Sequence, residues 1–294
     1  MQQFFQQVVS GLADGAIYAS LALALVLIYR ATEVINFAQG EIGMFTTFIA
    51  WSLINHHGFS YWPAFVATLA IAFVFGVGLH TVVIRPLERG SVLTVVMATI
   101  ALLIVLNGLA SVIWGPDVRS FPSPFPNRSL HVGGVFVSLR DIGVVAMTLA
   151  AMVLLAAFFK YTKVGLAMRA AAVSPDASRL LGVRVSWMLA LGWGLAAVLS
   201  ALSGMLIAPS VFLDPNMMQT VLIYSFAAAI LGGIESAVGA VVGGLALGVG
   251  INLLGTYVHT VTPELRLPVA LGVLLVVLLV RPAGLFGRAV ARRV

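Results

Sequence analysis

Glu41 is the acid in this sequence best placed to do chemistry. It stands in Asn36-Phe37-Ala38-Gln39-Gly40-Glu41, inside a run that is otherwise apolar. A charge at the middle of a membrane helix costs about 2.5–3.5 kcal/mol on insertion scales, so such a residue usually faces a bundle interior or a wet cavity. Asn36, Gln39 and Gly40 beside it predict a broken or re-entrant helix start with free backbone groups. Asn36, Gln39 and Glu41 are therefore candidates for a polar pathway through the bilayer. A structural alternative stands beside that one. Glu41 lies about five residues into its apolar run, where it would complement the positive end of a helix at the membrane surface.

Little else in the chain has the spacing of a catalytic or metal site. There is no G-x-x-x-x-G-K-[ST], so no P-loop for binding and hydrolysing ATP, and no H-E-x-x-H. His56-His57 is an adjacent pair, which cannot put both rings on one helical face. His80 is isolated and reads as a packed or interfacial histidine. With no cysteine, disulfides and thiolate metal sites are excluded. No cofactor is expected.

A second segment is built for contact rather than catalysis. In Arg169-Ala-Ala-Ala-Val-Ser174-Pro175-Asp176-Ala177-Ser178-Arg179-Leu180-Leu181-Gly182-Val183, Ser174 suits an N-cap and Pro175 a first helical turn. Asp176 favours the positive end of that helix, and Gly182 can end it. The spacing predicts a rigid helix of about seven residues, too short to be stable alone. A third pattern is one of small residues. Ala240, Gly244, Gly248 and Asn252 recur every four residues, with Gly239 and Gly243 in a second row. Such rows let helix backbones approach closely, within a bundle or between subunits.

The elements that position these residues follow from composition. Of 294 residues, 61% are apolar and 9% charged, against about 25% charged in soluble domains. Apolar runs fall at 8–29, 36–54, 62–84, 91–114, 141–159, 188–208, 219–233, 237–257 and 267–280. Each suits a helix, since helices satisfy their own backbone in lipid. The expected fold is all-α: one polytopic transmembrane domain over residues 1–294, with about nine spans (8–10). The run at 8–29 is too long for a signal-peptide core and is read as a retained first span.

Charge sets the orientation. With the Arg85–Arg89 loop inside, Arg30, Arg85, Arg89, Lys160, Lys163, Arg169, Arg179, Arg184, Arg281, Arg288, Arg292 and Arg293 all lie in the cytoplasm. Only Arg119, Arg128, Arg140 and Arg266 lie outside, a strong positive-inside bias. The C-terminus is then cytoplasmic and the N-terminus external. The net charge of +6 is distributed as membrane topology requires, which argues against nucleic acid as a partner. Residues 115–140 form an external loop stiffened by Pro116, Pro122, Pro124 and Pro126, read as a connector. Residues 160–187 form the most charged cytoplasmic loop. Glu41 precedes Arg85-Pro86 by 44 residues, and Glu235 precedes Arg281-Pro282 by 46. Spans 1–3 are thus a candidate repeat of spans 7–9.

Six segments in order carry a resemblance to a known family. They are Gly15-Ala16-Ile17-Tyr18-Ala19, Ile35 to Glu41, Arg85-Pro86-Leu87, Arg169 to Val183, Leu231-Gly232-Gly233-Ile234-Glu235-Ser236 with Gly239-Ala240, and Arg281-Pro282-Ala283-Gly284-Leu285-Phe286-Gly287. The chain resembles permease subunits of ABC importers for branched-chain amino acids, of the smaller of the two paired types. Glu235 departs from the pattern, where many relatives have Gly. The resemblance implies that Ser174, Pro175, Asp176, Ala177, Arg179, Leu180 and Gly182 form the coupling helix that touches the ATPase. It implies a second homologous permease subunit, two cytoplasmic ATPase subunits, and a periplasmic or extracellular solute-binding protein. It also implies a bacterial inner-membrane location. The implied substrate is a branched-chain or other hydrophobic amino acid; related permeases handle urea, amides or other small organic solutes. A secondary transporter would rely on Glu41 for ion coupling. A membrane enzyme would need a His/Asp cluster that the spans lack.

Overall fold

The structure is a computed structural model that describes residues 2–88, 90–126, 128–132, 135–258 and 262–287. Arg89 and residues 288–294, which enter the charge count and the expected side of the C-terminus, lie outside the described residues. Every apolar run forms a helix. In chain order these are α1 (Gln2–Thr32), α2 (Gln39–Asn55), α3 (Tyr61–Leu79), α4 (Val92–Trp114) and α5 (Leu139–Tyr161). Two further helices, α6 (Lys163–Val173) and α7 (Pro175–Leu180), precede α8 (Val185–Val211), α9 (Met217–Gly232), α10 (Ala237–Tyr257) and α11 (Arg266–Val280). Helix α3 continues through a π-helical turn, His80–Ile84, and a 3₁₀ turn, Arg85–Leu87. His80 is packed there, its Nε2 2.8 Å from Glu88 Oε1.

Among the described residues, six helices are long and apolar enough to cross a membrane: α1, α3 with its extension, α4, α5, α8 and α10. Helices α2, α9 and α11 have 17, 16 and 15 residues. For α2 and α9 the shortness has a geometric cause. Gln39, the first residue of α2, meets Ala196 and Ser200 of α8, about 16 Å along α8 from its start. Gly40 then faces Leu222 and Gly43 faces Met218, so α9 also begins beside the middle of α8. The chain enters the bundle from both ends, through residues 33–38 and 212–216, before each helix starts.

Helices α1 and α8 form the centre. The most apolar stretches of both are about four-fifths buried, as expected of helices apolar on every side. They run antiparallel: the Ser20 hydroxyl reaches Leu199 O, and that of Ser203 reaches Ile17 O, each at 3.5 Å. Packing around this pair is reciprocal. Helix α1 packs on α10 as α8 packs on α3, and α2 packs on α4 as α9 packs on α11.

The charge pattern of the sequence becomes spatial. Arg85, Arg179 and Arg184 line one surface depression, and Arg30 and Arg169 line another at the same end of α8. At the far end of α8, Arg140 bonds Ser210. There too, Arg119 pairs its backbone with Leu213, at 2.9 and 2.8 Å. The segment 115–140 is more than a connector. It contains an antiparallel hairpin, β1 (Ser129–Val132) with β2 (Val135–Ser138). Phe121 is buried in the core, and the Arg119 guanidinium sits 4.4 Å over the Trp51 ring.

Candidate functional site

A polar junction lies where α2 and α9 begin. Asn36 organises the first start. Its Oδ1 accepts from the Ala38 N–H at 3.1 Å, and its Nδ2 donates to Gln39 Oε1 at 2.7 Å. Gln39 Nε2 donates to Ser200 Oγ at 2.6 Å and Ala196 O at 3.0 Å. Asn36 and Gln39 are fully buried, and Glu41 is 1% exposed. The expected break before α2 is present, with Asn36 and Gln39 occupying its polar groups. Glu41 lies in the first turn of α2, as its surface reading required, but that turn is deep in the bundle.

The second start repeats the first in reverse direction. Asn216 and Gln219 stand before and in α9 with the spacing of Asn36 and Gln39. Gln219 Nε2 donates to Asn216 Oδ1 at 2.8 Å, and the Asn216 N–H donates to Asp214 Oδ1 at 2.7 Å. Asn107 of α4 joins the two starts. Its Nδ2 lies 2.8 Å from Pro215 O, 3.2 Å from Asn216 Oδ1 and 3.5 Å from Glu41 Oε2. Two helix N-termini, each a positive dipole end with an acid nearby, thus converge on one polar patch. Asn216, Gln219 and Thr220 are exposed there. Exposed amides halfway along a bundle are ill suited to hydrocarbon, so they need water or a protein partner.

Of the residues at this junction, sequence reading singled out Asn36, Gln39 and Glu41 and did not single out Asn107, Asp214, Asn216 and Gln219. The signal for the second start was available: Asn216-Met217-Met218-Gln219 copies the Asn-x-x-Gln of Asn36-Phe37-Ala38-Gln39.

The predicted short helix is α7, Pro175–Leu180, with six residues. Ser174 takes the N-cap position in extended conformation but makes no side-chain cap bond. The far end matches a Schellman stop: the Val183 N–H donates to Ser178 O and the Gly182 N–H to Arg179 O, both at 3.0 Å. Gly182 has φ +83°, a left-handed value that strains any residue with a Cβ. Arg179 Nη1 pairs with Asp176 Oδ1 at 2.9 Å. Ala177 is exposed, and Leu180 and Leu181 are 90% and 84% exposed. Ser178 is buried. Helix α6, which sequence reading missed, joins this hairpin to the bundle. Thr162 caps it, accepting from the Gly165 N–H at 2.9 Å, and Met168 packs inward.

The small-residue rows of α10 serve two neighbours. Gly244 and Gly248 face Ala19, Gly11 and Gly15 of α1. Gly239 and Gly243 face Gly232 and Ala228 of α9. A methyl group at any of these four would overlap the opposing backbone. Ala240 is fully buried, and Asn252 continues the first row by donating to Asp14 of α1 at 3.1 Å.

A predominantly helical bundle with six helices long and apolar enough to cross a membrane, among the described residues, defines a polytopic membrane protein. Comparison with known proteins makes this specific. Residues 7–278 match the family described as branched-chain amino acid transport system / permease component, and the chain belongs to that family. It is 31% identical to the high-affinity branched-chain amino acid transport system permease protein BraD of Pseudomonas aeruginosa, covering 99% of this chain and 98% of that one. It is 30% identical to the corresponding protein LivH of Escherichia coli strain K12, with the same coverage, and 29% to LivH of Salmonella typhimurium.

Proposed function

We propose that this chain is a permease subunit of an ATP-driven importer, forming part of the path for branched-chain or other hydrophobic amino acids. The observation that carries this is the family match across residues 7–278, together with near full-length similarity to permeases named for that transport. The chain is a transport subunit; ATP hydrolysis belongs to two separate cytoplasmic ATPase subunits. A second, homologous permease completes the path, and a solute-binding protein delivers substrate from outside the inner membrane.

Within this reading the single domain crosses the bilayer nine times, counting α2, α9 and α11 as spans that need not be full length because protein or water surrounds their ends. The end bearing Arg30, Arg85 and Arg184 is cytoplasmic, as is the C-terminus. The repeat we infer relates α1–α4 to α8–α11 with inverted topology. It is supported by the antiparallel α1–α8 pair and the two Asn-x-x-Gln starts, and it replaces a parallel repeat of spans 1–3 and 7–9. The path runs past Glu41, Asn107, Asn216 and Gln219. Helix α7 docks into an ATPase groove through Ala177, Leu180 and Leu181, with the Asp176–Arg179 pair beside them.

Affinity purification of the tagged chain from mild detergent tests the assignment. ATPase and second permease subunits should co-purify at stoichiometric levels. A chain that purifies alone yet transports in liposomes would sink it.

A further inference from the structure

A cavity of about 1100 Å³ opens between α1, α5, α6, α8 and α10, away from the polar junction. Its walls are aliphatic: Leu23 and Val26 from α1, Met152 and Val153 from α5, Val241 and Val242 from α10. Along α5 it extends from Leu149 to Phe159, about 15 Å of helix rise. That is half of a hydrocarbon core about 30 Å thick, the depth of one leaflet. Val153 and Val238 at its edge are 65% and 68% exposed, so it opens on the apolar flank of the bundle.

One end of the cavity is charged. Arg30, Glu33, Arg169 and Glu235 all line it and are all exposed. Among the described residues, none of the four has an ion pair or side-chain hydrogen bond within the chain. Glu33 is held at this rim by a left-handed turn, φ +56°, that stops α1. Glu235 lies just before the Ser236 N-cap of α10. Two free cations and two free anions around an apolar slot one leaflet deep describe a receptor for a molecule with two tails, a phosphate and an amine. A wholly apolar protein helix entering the slot would fill the walls and leave the four charges without counter-charges.

We propose that this cavity binds one phospholipid of the cytoplasmic leaflet with a primary-amine headgroup, phosphatidylethanolamine. Arg30 and Arg169 take the phosphate, Glu33 and Glu235 take the ammonium, and the acyl chains lie along α5 and α10. The assignment rests on the membrane orientation above. It gives Glu235 a role and places a lipid against α6, the helix that leads into α7. Phosphatidylglycerol lacks the amine, and phosphatidylcholine lacks ammonium N–H donors for the two glutamates.

The test is native mass spectrometry of the purified complex after equilibration with ethanolamine, glycerol and choline phospholipids of identical acyl chains. This readout is independent of transport, so it can fail while the permease assignment stands. One ethanolamine lipid per copy of this chain should be retained in preference to the other two. The double variant Arg30→Ala/Arg169→Ala should lower retention about tenfold or more, and Arg30→Lys/Arg169→Lys should restore most of it. Val153→Trp, at a site exposed enough to tolerate the ring, should lower retention by filling the slot. Equal retention of all three lipids, preference for the glycerol lipid, or unchanged retention in both the alanine and tryptophan variants would overturn the proposal. So would a benzophenone at Val242 that cross-links to the second permease and not to lipid.

Discussion

At the scale of single residues, the decisive fact is that Glu41 is buried beside two broken helix starts. A lone acid at a helix N-terminus near the membrane surface would be a structural cap. Here the same first-turn position is carried into the bundle because residues 33–38 climb back alongside α1. Glu41→Gln keeps the shape and the contact with Asn107 while removing the charge. We expect assembly and thermal stability to be preserved or slightly improved, since an uncompensated membrane charge is costly. Uptake should fall severalfold. Wild-type uptake by this variant would return Glu41 to a structural role. The residues were only half legible in the sequence. An acid in an apolar run announces itself, whereas Asn107 is a single amide whose partners Glu41, Pro215 and Asn216 lie 66 to 109 positions away. The repeated Asn-x-x-Gln spacing could have linked Asn216 and Gln219 to Asn36 and Gln39, but nothing local marks Asn107.

At the scale of elements, α7 and α10 were legible because their signals are local. Pro175 and Gly182 bracket α7 by backbone conformation, and the four-residue spacing of small residues fixes the faces of α10. Helix α6 was not legible, because Lys163 to Val173 looks like basic loop until its Ala and Met residues find α5 and α8. The hairpin at Ser129–Ser138 was hidden by the prolines that precede it. Two predictions belong here. Ala177→Arg places a charge on the exposed face of α7 without touching the bundle. The variant should insert and pair with its permease partner, yet lose ATPase subunits on purification and lose substrate-stimulated hydrolysis. Retention of both ATPase subunits with full transport would show that α7 is not the coupling element. Gly244→Leu forces a side chain into the backbone of α1 at Ala19, and overpacking of this kind costs about 1–3 kcal/mol or more. Its thermal midpoint in detergent should drop well below that of Gly250→Leu, where the added group meets open space. Equal midpoints would contradict the α1–α10 packing.

At the scale of the whole molecule, composition alone pointed to a helical membrane protein, and the structure gathers Arg30, Arg85, Arg169, Arg179 and Arg184 at one end of α8. Composition could not establish that two helices begin halfway in. Hydropathy counts apolar runs, and runs 36–54 and 219–233 read the same whether a helix crosses fully or starts inside. Orientation is directly testable because the chain has no cysteine. A single cysteine at Ser123 should react with an impermeant reagent in intact cells, and one at Val294 should react only after lysis. The reverse pattern would invert every assignment of inside and outside. The central claim, that this chain forms part of the membrane path of an ATP-driven amino-acid importer, is tested most directly by transport in proteoliposomes. The complex purified through this chain is reconstituted with its binding protein, and uptake of labelled leucine is followed with and without ATP. We predict uptake that requires ATP on the ATPase side, persists when ion gradients are collapsed, and is lost in the Ala177→Arg complex. Leucine uptake that proceeds without ATP and collapses with the ion gradient would contradict the account.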